Sequence, residues 1–175
     1  MSGTLPSVPC ARIAGHFEVR RQNGEYIGSF AAFGYLKAKD ETGRNQLVID
    51  ENAAPIVRDI FQWKIEGQSA QGIADKLNTL GVPSPLEYKK LCGSNYTTVF
   101  GKAARSKWTA VAVGRILRND LYVGVLTQGI STTANYKIKQ RIQREASEWA
   151  RVEGTHENKA WFPACASPFL PQRSW

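Results

Sequence analysis

The chain has 175 residues, 42% of them hydrophobic, and 23 Lys and Arg against 15 Asp and Glu give it a net charge of +8. A chain of this size and apolar content can bury a core, and its excess positive charge favours a polyanionic partner, nucleic acid ahead of a membrane surface. No apolar run approaches the roughly 20 residues that span a bilayer, and the first residues lack a charged-then-apolar signal pattern. The cysteines Cys10, Cys92 and Cys165 form no CxxC pair, which argues for reduced thiols in a cytoplasm over a disulfide framework.

Residues 1–9, with Gly3, Pro6 and Pro9, read as an unstructured leader, and 10–23 as a helix carrying Ile13, Phe17, Arg20 and Arg21. Gly24 to Phe33 reads as extended linker. Phe33–Lys37 and Gln46–Ile49 are expected to pair as a hairpin around Asp40-Glu41-Thr42-Gly43. A helix to about Glu66 follows, with Ile56, Val57, Ile60 and Phe61 as its buried stripe. Pro55 fits only a first turn, which favours Asn52 over Asp50 as the cap. Trp63, at the edge of that stripe, reads as core packing, with base stacking as the alternative.

A second amphipathic helix runs from Ser69, whose side chain can accept from free N–H groups, to Gly81, which can take a left-handed exit. Ile73, Ala74, Leu77 and Leu80 form its stripe. Val82-Pro83-Ser84-Pro85 breaks the chain, and 86–108 reads as a polar, basic insert. Its Tyr96 and Phe100 can stack on bases or anchor the loop to its own core, and Trp108 packs beneath the next helix. That helix begins at Thr109. At 100° per residue, Ala110, Val113, Ile116 and Leu117 fall on one side, with Val111, Arg115, Arg118 and Asn119 opposite. A supporting helix followed by a helix with a basic outer face is what groove reading by a helix-turn-helix unit requires. Leu121–Leu126 and Trp149–Val152 are β-rich and suggest a wing-like hairpin or small sheet around a basic segment, 134–148. Beyond Glu157 a Pro- and aromatic-rich stretch without periodicity reads as a disordered tail.

The charge is unevenly spread. Residues 87–118 hold Lys89, Lys90, Lys102, Arg105, Lys107, Arg115 and Arg118 against the single acid Glu87, and a further basic group, Lys137, Lys139, Arg141, Arg144 and Arg151, follows downstream. No catalytic centre is evident. His16 and His156 lie far apart without a spaced Cys or His partner, so no metal site is expected, and no phosphate loop or nucleophile elbow occurs. The fold class expected is α+β, mainly helical, with a helix-turn-helix-like core and small antiparallel hairpins.

One order of elements is specific. Gly34-Tyr35, Leu47-Val48-Ile49-Asp50, Ala54 through Ile60-Phe61, Gly67-Gln68-Ser69, Ile73-Ala74, Leu77-Asn78, and Gly81-Val82-Pro83-Ser84-Pro85 come first. Trp108, Ile116-Leu117-Arg118-Asn119 and Tyr122-Val123-Gly124 follow, then Arg151-Val152-Glu153 and Thr155-His156-Glu157. Together they resemble the "recombinase" domain of large serine recombinases, the integrases and transposases of phages and conjugative elements. The resemblance covers about 17–157, leaving 1–23 as leader and end of a connector helix, 24–157 as the DNA-binding domain and 158–175 as tail. The family's Tyr-x-Arg-x-Ser nucleophile motif does not occur in 1–10, Ala31-Ala32-Phe33 replaces the usual Pro-Tyr before Gly-Tyr, and no Cys-rich zinc ribbon follows Glu157. The chain is therefore expected to bind attachment-site DNA without cutting it, with no cofactor, no membrane partner, and self-association only alongside a catalytic domain. The resemblance implies a linker, Gly24–Phe33, that follows the minor groove with help from Arg20, Arg21, Tyr26 and Lys37, and a helix in the major groove. Base reading then falls to Val111, Arg115 and Arg118, and phosphate contacts to Lys89, Lys90, Lys102, Arg105 and Lys107. A nuclease or recombinase acting in its own right would need clustered acids or a nucleophile near this basic face. A protein-interaction module with incidental charge is the other alternative.

Overall fold

The computed structural model describes residues 9–93, 106–133 and 141–155. The expectations for the leader before Pro9, for Tyr96, Phe100, Lys102, Arg105, Lys137 and Lys139, and for the tail after Glu157 lie outside them. The architecture is α+β, with short helices and, among the described residues, three antiparallel two-stranded pairs. Contacts divide the chain into a helical unit, Asp50–Asn119, and a mixed unit built from Met1–Ile49 and Asp120–Trp175.

In the mixed unit, α1 (Pro9–Gln22) precedes the hairpin of β1 (Tyr35–Lys39) and β2 (Asn45–Ile49), paired from Tyr35↔Ile49 to Lys39↔Asn45. Asp40 makes the turn, its Oδ1 accepting from the backbone N–H groups of Thr42 and Arg44 and from the Thr42 hydroxyl. Those bonds, the hydroxyl's first, hold its carboxyl below the usual range. The run from Leu121 is not strand at its start. Asp120–Val123 is a 3₁₀ turn, and strand β3 begins at Val125 and ends at Gln128. The turn carries Tyr122 inward, where its ring lies 5.9 Å from that of Tyr35 and its buried hydroxyl donates to Phe33 O at 2.7 Å. β3 pairs with β6 (Ala150–Glu153), α1 packs on β6, and β4 (Ser131–Thr133) pairs with β5 (Arg141–Gln143).

The stretch expected as extended linker is pinned between these pairs. Tyr26 N–H donates to Asn45 O, and the Gln128 side chain accepts from Ile27 N–H while donating to Glu25 O. One glutamine amide thus replaces two ladder bonds.

In the helical unit, α2 (Ala54–Ile65), α3 (Ala70–Thr79) and α5 (Ala110–Leu117) pack on one another through Val57, Ile60, Ile73, Ala74, Leu77, Val113 and Ile116. Burying these side chains removes apolar surface at roughly 25 cal/mol per Å², the main source of the unit's cohesion. The α2 cap differs from expectation. Ala53 occupies that position with no side-chain bond, while Asp50 receives the orphan donors, its carbonyl from Ala53 and Ala54 and its carboxylate from Asn52. Pro55 sits in the first turn as its missing N–H requires. Ser69 caps α3 by accepting from Gly72 N–H at 3.0 Å, and Gly81 exits at φ 71°. Leu80, expected in the stripe, is 62% exposed because α3 ends one residue before it. Trp63 is half-buried with Lys76 Nζ 3.9 Å above its ring.

The insert after the proline break opens with a helix the periodicity did not indicate, α4 (Pro85–Leu91), capped by Ser84. Proline at its first position presets φ, and Tyr88 ties it down by donating to the buried Asp50 carboxylate at 2.7 Å.

Candidate nucleic-acid interface

The residues expected to read bases lie on and just after α5. Thr109 starts the helix, its hydroxyl accepting from Ala112 N–H at 3.2 Å. Val113 and Ile116 are buried against the rest of the helical unit. A 100° step then forces Val111, Arg115 and Arg118 outward, and all three are exposed, Val111 by 59%. Arg118 does not stand away from the helix. Its Nε donates to Gly114 O at 3.1 Å, so the guanidinium lies along the face.

What orients α5 is a pairing between Asn78, near the end of α3, and Trp108, just before the cap. Asn78 Oδ1 accepts from Trp108 N–H at 2.9 Å and Asn78 Nδ2 donates to Trp108 O at 3.0 Å, while the buried indole donates to Val82 O at 3.1 Å. The side-chain amide acts as a strand rung, satisfying both backbone groups of a residue that is 3% exposed. Trp108 is therefore both core filler and the peg that sets where α5 begins. Nothing in the hydrophobic pattern singled out Asn78. Its legible signal is an amide-bearing residue in the last turn of a helix, a position where Asn otherwise weakens the helix.

The other residues expected to touch DNA divide by unit. In the helical unit, Lys107 and Lys90 are exposed, and Lys89 is partly buried on α4, which lowers its ammonium pKa. In the mixed unit, the four expected to serve the linker are engaged by the fold. Arg20 donates two bonds to the buried Glu25 carboxylate, and Arg21 donates to Glu18. The Tyr26 hydroxyl donates to Phe30 O, with its pKa raised by burial, and Lys37 donates to Gly28 O at 3.1 Å. The Arg20 bonds hold Glu25 below the ordinary carboxylate range and Arg20 above its own. Arg144, from the downstream basic group, is shared between Glu18 and Glu148. The structure thus gathers Val111, Arg115 and Arg118 on one face and does not leave Arg20 and Arg21 as unpaired cations.

Among the described residues no group of three or more His, Cys, Asp or Glu is arranged to hold a metal, and no helix is long and apolar enough to cross a membrane.

The eight-residue helix α5 of this α+β chain thus carries Arg115, beside Arg118 at its C-cap, on its exposed side, and comparison with family models supplies the class of protein. The Recombinase family model matches residues 51–158, well over half of the chain, which belongs to that family, the central domain of large serine recombinases. Comparisons with curated proteins and with solved structures return no match. Family membership carries a role in site-specific recombination and an interaction with DNA. The matched stretch contains all of α2, α3, α4 and α5.

Proposed function

We propose that the chain holds a recombinase on its attachment-site DNA, with α3 and α5 acting as a helix-turn-helix pair and α5 entering the major groove. The observation that carries this reading is the polarity of α5, apolar towards the core and Val111, Arg115 and Arg118 towards solvent. An arginine can give two N–H groups to guanine O6 and N7, and a valine can meet a thymine methyl. Lys107 and Lys90 supply phosphate contacts that set register, together with Lys89, Lys102 and Arg105, which share the same cationic stretch of sequence. Arg20 and Arg21 act as braces of the mixed unit, since their guanidinium groups already hold carboxylates. The DNA function needs no cofactor, because binding draws on charge and hydrogen bonds alone.

The experiment is a titration of the full chain with a duplex selected from an element-end library, at two salt concentrations. Arg115→Ala is expected to lose about 1–3 kcal/mol on the selected duplex and little on a scrambled one. Lys107→Ala is expected to weaken both alike and to reduce the salt slope by about one unit. Equal binding by Arg115→Ala and the parent chain would remove α5 from the interface. A salt-independent affinity would favour a protein-interaction module instead.

A further inference from the structure

We infer that Gly114 is a specificity determinant of the α5 face, because it lets Arg118 fold back across the helix and present a preset guanidinium edge to a guanine. The inference rests on the DNA-binding reading above and adds a residue to it. At 100° per residue Gly114 falls beside Arg118 and Val111 on the outer face. A Cβ built there would sit 3.3 Å from one Arg118 Nη and 3.9 Å from its Cζ, and no other side chain among the described residues comes within 4 Å.

No structural need accounts for glycine at this position. The core does not press on it, and its backbone is ordinary helix, absent from the residues with positive φ. Glycine is among the least favourable residues in a helix interior, and α5 has only eight residues over which to absorb it. The bare position instead gives the guanidinium a floor. The Gly114 carbonyl accepts from both the backbone N–H and Nε of Arg118, at 3.3 and 3.1 Å. With Nε engaged, the edge that remains is the Nη pair, two parallel donors that match guanine O6 and N7. Holding that edge in place before binding reduces the side-chain ordering required at the interface. A methyl at 114 requires the guanidinium to shift by a few tenths of an ångström.

The test is binding-site selection by the full chain from a randomised duplex library, run for the parent, Gly114→Ala, Gly114→Leu and Arg118→Ala, with a thermal melt of each. The parent should enrich a guanine at one base pair and Arg118→Ala should lose that preference. Both Gly114 variants should weaken it at the same base pair, with Gly114→Leu binding the parent's duplex about tenfold or more weakly. Gly114→Ala should melt at or above the parent's temperature, since alanine favours helix. A purely structural glycine would show the reverse, a lower melting temperature with the guanine retained, and that result overturns the inference. If Arg118→Ala alone loses the guanine while Gly114→Ala keeps it at parent affinity, the positioning role falls and the reading of α5 stands. If the parent enriches no motif, the site-specific reading itself falls.

Discussion

Replacing Asn78 with alanine should loosen the start of α5 more than any single surface change. The side chain is half-buried and bonds both Trp108 N–H and Trp108 O, at 2.9 and 3.0 Å, and Trp108 is 3% exposed. Each buried backbone group left unpaired costs about 1–3 kcal/mol. Two would cost about 2–6, but removal of the amide opens a channel for water to one of them, so the expected loss is about 2–3 kcal/mol, a large share of a domain's total of about 5–15. The assay is urea unfolding followed by tryptophan fluorescence and by circular dichroism, with Asn78→Asp as the companion. Aspartate keeps the acceptor for Trp108 N–H but sets a second acceptor against Trp108 O, so it should recover less than half of the loss. If Asn78→Ala unfolds within about 0.5 kcal/mol of the parent, a value typical of neutral surface changes, the segment at Trp108 is held without the Asn78 bonds.

Two further predictions concern the mixed unit. Glu25 has a depressed pKa, so its ion pair contributes stability that is complete above the ordinary value of 4.5 and is lost as pH falls through the lower folded value. Glu25→Gln should therefore lower the melting temperature at neutral pH and flatten the acid limb below pH 4.5, whereas an unchanged limb in a pH series of melts would assign the acid sensitivity elsewhere. Tyr122→Phe removes the buried donor to Phe33 O and should cost about 1–2 kcal/mol in chemical denaturation, with no change meaning that water takes the carbonyl.

Elements with strong periodicity were legible from residues alone. Ser69 and Gly81 bound α3 and Thr109 starts α5, because caps and left-handed exits are local chemistry. The hairpin was legible for the same reason, Asp40 and Gly43 being turn formers between alternating runs. Where expectation and structure part, the deciding contact is distant in sequence. α4 is too short to show a period and is tied by Tyr88 to Asp50, 38 residues away. The linker is pinned by Gln128, about a hundred residues away. Arg20 and Arg21 counted as cations in a charge tally, yet the turn after α1 brings Glu25 onto Arg20. At the candidate interface, Val111, Arg115 and Arg118 were legible because helical geometry alone sorts α5 into faces; the roles of Asn78 and Gly114 were not, because each depends on where another side chain lies.

The mixed unit draws on two stretches of sequence separated by the whole helical unit, and this sets an order of events on the ribosome. When Asn119 emerges, Trp108 already has Asn78 and Val82, and α5 already has α2 and α3 to pack on, since all of these lie between Asp50 and Asn119. The β1–β2 hairpin, made earlier, must wait with Tyr35 still wet until Tyr122 is synthesised and its hydroxyl can reach Phe33 O. The hairpin, translated before the helical unit, is thus completed after it, and a nascent chain halted near Asn119 would hold a folded helical unit and an unfinished hairpin.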